Sequence, residues 1–168
     1  MPPLFYVLAQ LTDEDIDWLR ATAARREVPL GGVLIEQGKP IESVFIVLEG
    51  RLSVYGAAGS GDIGVGEMLG EISFVDARPP SADVVANEDS VVLAVPKREL
   101  QVKLDGDPGF GARFYRAIAL LLSHRLRDAA IAASGPPVGQ APSDPVSSEA
   151  ERKGRAERFE ATLRRLKA

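Results

Sequence analysis

The stretch Gly66-Glu67-Met68-Leu69-Gly70-Glu71-Ile72-Ser73-Phe74-Val75-Asp76-Ala77-Arg78-Pro79-Pro80-Ser81-Ala82-Asp83-Val84-Val85-Ala86 decides how this chain is read. Two Gly-Glu pairs stand four residues apart, and the second opens a short apolar run able to make a helical turn. The first backbone amides of such a turn would point at an anion lying ahead of it. Ten residues beyond Gly70 the chain places Pro80, where a phosphate site would want an arginine. The guanidinium offers a planar fork of donors matched to phosphate oxygens, and proline offers none.

The residues around this stretch set the fold. From Val28 to Pro96 the sequence runs in short β-rich segments: 33–35, 44–48, 52–55, 62–65, 82–86 and 91–95. They are broken by Gly31-Gly32, Gly38, Gly50, the glycines from Gly56 to Gly61, and Asn87 to Asp89, which predicts a compact antiparallel sandwich or barrel. Leu52 and Val54 alternate with Arg51, Ser53 and Tyr55, one dry face against one wet. Ahead of the strands, Thr12 followed by Asp13-Glu14-Asp15 reads as an N-cap opening a helix over about 13–24. After them come a short helix over 97–104, a break at Gly106-Asp107-Pro108-Gly109, and a long helix over 110–133. The long helix carries a wide apolar stripe of Phe114, Ala117, Ile118, Leu121, Leu122 and Leu126.

Three segments follow: a domain over 1–133, a Pro/Gly/Ser-rich linker over 134–148 and a charged amphipathic tail helix over 149–168. The tail has Phe159, Leu163 and Leu166 on one face, and a helix so sparing in apolar residues needs a partner surface to persist. Residues 1–133 hold 13 Lys/Arg against 19 Asp/Glu, a balance unsuited to wrapping a nucleic-acid backbone. The chain has no cysteine, which excludes disulfides, thiol catalysis and thiolate metal sites. Its one histidine, His124, is too few for a jelly-roll metal centre. No membrane span or secretory signal is visible, so a cytoplasmic location is expected. No enzyme constellation is present either: there is no nucleophile elbow, no Gly-Lys-Ser/Thr phosphate loop and no histidine set beside a serine.

The order helix, glycine-punctuated barrel, short helix, long helix resembles the cyclic nucleotide-binding domain family over roughly residues 4–133. Gly38, Gly50 in Phe-Ile-Val-Leu-Glu-Gly-Arg-Leu-Ser-Val, and above all Gly66 to Val84 carry the likeness. The last of these is similar to the family's phosphate-binding cassette. The fold this implies is mainly β with flanking helices: a cyclic-nucleotide-binding-domain-like β jelly roll followed by a long C-terminal helix.

For the site, the resemblance implies that Gly70, Ile72 and Ser73 supply backbone amides or neighbouring contacts to a cyclic phosphate. Glu71 would accept hydrogen bonds from the ribose 2′-hydroxyl, while Ser81 and Ala82 would line the phosphate on its other side. Pro80 replaces the family's phosphate arginine, and losing one charged hydrogen bond of roughly 1.5 to 3 kcal/mol weakens a site about 10- to 150-fold. Arg78 would supply the charge if the Arg-Pro-Pro turn folds its side chain back. The implied function is a regulatory module for cAMP, cGMP or another phosphate-bearing small ligand, with no cofactor required and relay through the C-terminal helix. The alternative is a ligand-free scaffold. In either case assembly with itself or a protein partner would use helix 110–133 and the tail, and direct DNA binding is not expected because no helix-turn-helix follows the long helix.

Overall fold

A computed structural model describes residues 8–57, 59–134 and 149–168. Its strands form two four-stranded antiparallel sheets. One has the order β1 (Ala24–Val28), β8 (Ser90–Pro96), β3 (Ser43–Glu49), β6 (Met68–Leu69); the other runs β2 (Val33–Ile35), β7 (Ala82–Ala86), β4 (Leu52–Gly56), β5 (Gly59–Ile63). Strand β3 explains the layering. Its side chains alternate between two cores: Phe45 and Val47 point between the sheets, Val44, Ile46 and Leu48 toward the helices. Both faces are covered, so the strand reads as an unbroken apolar run.

The helices close the outer face of the first sheet. Helix α1 (Asp13–Thr22) begins at a reciprocal capping box, in which the Asp15 amide donates to Thr12 Oγ1 and the Thr12 amide donates to Asp15 Oδ2. It ends at Thr22, short of the expected Ala24. Ala24 instead opens β1, whose Ala-Arg-Arg-Glu sequence is exposed along its length and pairs with β8 as an edge strand. Helix α2 (Glu71–Asp76) sits between β6 and β7, and α3 (Lys97–Gly106) follows β8. Helix α4 (Pro108–Ser134) starts two residues before the expected Phe110. Pro108 is tolerated at a first helical position, and Asp107 Oδ1 accepts from the Phe110 amide, so the Gly106 to Gly109 break narrows to one residue.

Phe110, Phe114, Ala117, Ile118 and Leu121 of α4 are buried in the helix-side core. The stripe is narrower than the sequence predicts, because Leu122 is only partly buried and Leu126 is 72% exposed. Ser53, expected on the wet face of β4, is buried; its hydroxyl donates to Asp62 and accepts from Asn87. Strand β5 starts earlier than expected, so Gly59 and Gly61 belong to it and not to the break. The linker expected over 134–148 lies outside the described residues except for Ser134, the last residue of α4.

The surface that the tail needs is this chain's own body. Helix α5 (Glu149–Lys167) buries Phe159, Leu163 and Leu166 against the core that includes Leu8, Leu11, Ile16 and Leu19. Arg165 adds a two-point bridge to Asp17, with Nε donating to Oδ1 and Nη2 to Oδ2, both at 2.6 Å. Arg158 donates to the Leu11 carbonyl. Each large apolar side chain so buried is worth roughly 1.5 to 3 kcal/mol, enough to hold a helix whose remaining face is charged.

Candidate functional site

The cassette runs from β6 through Gly70, α2 and the Ala77 to Pro80 turn into β7. Gly70 is required where it stands. It has φ +80°, and a Cβ there would lie 2.7 Å from Ile41 Cδ1 and 3.3 Å from the Ser43 carbonyl. This residue in the left-handed conformation swings the chain out of β6 and starts α2. At the far end Ala77 adopts φ +57° without being glycine, the one such residue in the described chain.

Glu71 is 2% exposed and is held by a residue far along the sequence. Arg125, on α4, donates Nη1 to Glu71 Oε1 and Nη2 to the Met68 carbonyl at 2.7 Å. One guanidinium thereby ties the start of the cassette helix and the strand before it to the long helix. Burial pushes the Glu71 carboxyl above its ordinary value, and the Arg125 charge only partly opposes that rise. The charge of nearby Glu67, itself buried with its carboxylate bonded to the Gly64 amide, pushes in the same direction as burial.

The other expected site residues are distributed unequally. Ile72 turns its side chain outward, 50% exposed, as does Val75 at 52%. Ser73 is buried. Ser81 is exposed and Ala82 half-buried at the head of β7, where it pairs with Gly56. Arg78 is exposed; with Ser73 it lines a cavity whose walls include none of Gly70, Glu71, Ser81 or Ala82. Pro80 is anchored through its backbone, its carbonyl accepting from the Gly38 amide at 2.8 Å. Asp83 accepts from the Gln37 amide, so the loop before β3 is stitched to both sides of Ser81.

Sequence reasoning missed Arg125. A signal existed: the buried stripe Phe114, Ile118, Leu121 extends at helical spacing to position 125, where an arginine replaces the expected apolar residue. A cation on the dry face of a helix calls for a buried carboxylate opposite it. Among the described residues no helix is long and apolar enough to cross a membrane, and no group of three or more His, Asp or Glu could hold a metal ion.

Comparison with known proteins agrees with this layout. The profile of the cyclic nucleotide-binding domain family matches residues 25–107. The crystal structure of the Thermus thermophilus catabolite activator protein superposes with a TM-score of 0.61 at 28% identity, covering 79% of this chain and 62% of that one. The curated cyclic AMP receptor protein of the same organism is 29% identical over 133 residues, 76% of this chain and 58% of the relative. An uncharacterized NTE family protein of Mycobacterium tuberculosis is 29% identical over 118 residues, 69% of this chain and 20% of the relative. The chain thus spans about a fifth of the length of that relative and somewhat over half of the receptor.

Proposed function

We propose that this chain, which belongs to the cyclic nucleotide-binding domain family, is a regulatory module that takes a cyclic mononucleotide or a related phosphate-bearing ligand at the cassette and relays it through α4. The observation that carries the reading is the contact between Glu71 and Arg125. The resemblance to the family would make Glu71 its ribose-binding carboxylate. A ribose diol arriving there must share or displace the Arg125 guanidinium. Any such exchange changes how the cassette is fastened to the long helix, so binding and helix position are coupled by one pair of side chains. The phosphate end would rest on the backbone amides at the start of α2 and on Ser81, without the arginine that Pro80 replaces.

Calorimetric titration of the full chain with cAMP and cGMP, beside the Pro80→Arg variant, tests this. The expected result is weak saturable binding that the variant strengthens about 10- to 150-fold, the value of one charged hydrogen bond. No heat from either protein at millimolar nucleotide would overturn the reading for these ligands.

A second reading, a ligand-free scaffold, draws support from Pro80 and from the outer face of α4. Tyr115, Ala119, Leu122, Leu126, Ala129 and Ala133 follow one another at alternating spacings of four and three, the pattern of a coiled-coil seam. Tyr115 is 46% exposed and Leu126 72% exposed. On this reading a second copy covers the seam, and the tail, already packed on its own body, is left out of the contact. Light scattering should then give a dimer that Leu126→Glu converts to a monomer. A wild-type mass of one chain would remove the scaffold reading.

A further inference from the structure

We infer that the cavity between α2, the loop before β3 and the start of α3 is a second ligand site, built for a small organic anion carrying one ring-sized apolar group. Its walls include cassette residues, Ser73, Phe74, Ala77, Arg78 and Pro79, but none of Gly70, Glu71, Ser81 or Ala82, and it does not rest on the nucleotide assignment. The cavity holds about 290 Å³, at the lower edge of the roughly 300 to 1,000 Å³ typical of ligand pockets. One part of its wall is polar: Ser73, Arg78 and Lys97. The rest is apolar, with Ile41, Phe74 and Pro79 among its residues.

Three features of the polar wall suit it to an anion. Ser73 is 7% exposed, yet its hydroxyl has no hydrogen-bond partner among the described residues. A buried hydroxyl left unpaired is costly, and its usual explanation is a partner that comes and goes. Among the described residues neither Arg78 nor Lys97 makes an ion pair within 4 Å or a side-chain hydrogen bond. Glu42 and Asp76 act on Lys97 only at longer range, and burial still lowers its pKa against their pull. The cation therefore sits in surroundings that do not compensate its lost hydration, a deficit an anion in the cavity would remove.

The apolar residues set the size of the guest. Proline, isoleucine and phenylalanine walls suit one flat ring or a short branched chain, while the volume leaves no room for a full nucleotide beside it. The cavity is held open by backbone bonds, the Lys97 amide to the Glu42 carbonyl and the Gly38 amide to the Pro80 carbonyl. Phe74 also packs edge-to-face on Phe114 of α4 at 6.3 Å, so an occupant touches a ring that already contacts the long helix. The guanidinium absent at position 80 is thus present in the same turn at Arg78, facing a different space.

Phenyl phosphate and benzoate, titrated into the full chain and followed by amide chemical shifts, are the probes. Saturable shifts centred on Ile41, Ser73, Phe74 and Lys97 are expected, and the tighter of the two probes identifies the anion as phosphate or carboxylate. The double variant Arg78→Met, Lys97→Met should weaken binding at least about tenfold, and Ser73→Ala should weaken it less without lowering the melting temperature. Ser81→Ala, on the cassette, should have no effect. Shifts centred on Gly70, Glu71 and Ser81, equal affinity in the double variant, or no saturation by tens of millimolar would each overturn the inference.

Discussion

Helix α4 makes two ion pairs with buried carboxylates, and they are built in opposite ways. Near its start Arg113 donates Nε and Nη2 to Asp15 at 2.7 and 2.9 Å. Burial alone would raise the Asp15 carboxyl. The Arg113 hydrogen bonds, with those from the Thr12 amide and hydroxyl, outweigh it and hold the group below its ordinary value. Further along, Arg125 meets Glu71, and there burial wins. The first carboxylate is over-supplied with donors and fixes α1 to α4. The second has one guanidinium and its own backbone amide, and burial outweighs both, so its ionised form is tolerated rather than welcomed. A contact that must let go when a ligand arrives is better built the second way.

Removing the arginines separates the two most sharply. Arg125→Met strands a nearly inaccessible carboxylate and should destabilise the fold by about 3 kcal/mol at neutral pH, read by urea unfolding. Arg113→Met should cost visibly less, because the Thr12 amide still donates to Asp15 Oδ2. Equal losses would break the comparison. Asp15→Ala should come next, at about 2 kcal/mol, since it removes both the bridge and half of the capping box.

Part of this was legible in the sequence. The strand β3 and the long helix announce themselves because burial on both faces, or on one stripe, writes directly into residue type. Thr12 and Asp15 announce α1 through local capping chemistry. Strand β1 was hidden: an exposed edge strand needs no apolar residues, and Ala-Arg-Arg-Glu has none beyond alanine. Strand β6, two residues long, exists only because β3 lies beside it. Of the site, the sequence shows Gly70 and Glu71 and the missing arginine at Pro80. It does not show that Arg125 reaches Glu71 across the fold, or that Ser73 and Arg78 share a cavity with Lys97. Those depend on how distant segments pack.

The cassette turn offers a smaller effect. Ala77 in the left-handed region pays a steric penalty that glycine would not, of roughly 1 to 2 kcal/mol. Ala77→Gly should therefore stabilise the chain by about 1 kcal/mol after the added freedom of the unfolded chain is subtracted, measured by thermal melting. A loss of stability would mean the turn relies on the Ala77 methyl group for packing.

The pH dependence of stability carries the smallest effect and distinguishes the two carboxylates by sign. A group contributes to this dependence when it binds protons differently in the folded and unfolded chains. Asp15 has a lowered folded value, so its contribution is fully present above its ordinary 3.8 and is lost as pH falls through the folded value. Glu71 has a raised one. Its ionisation costs stability above the folded value, and that cost fades as pH falls toward the ordinary 4.5. Acidifying from neutrality should first strengthen the fold through Glu71 and then weaken it through Asp15. Glu71→Gln should flatten the first slope and Asp15→Asn the second, while Glu71→Gln changes stability at pH 7 by less than about 1 kcal/mol because the amide keeps an acceptor for Arg125. If Glu71→Gln leaves the slope above pH 4.5 unchanged, Glu71 is an ordinary carboxylate, and the weak fastening assigned to the cassette end of α4 is gone.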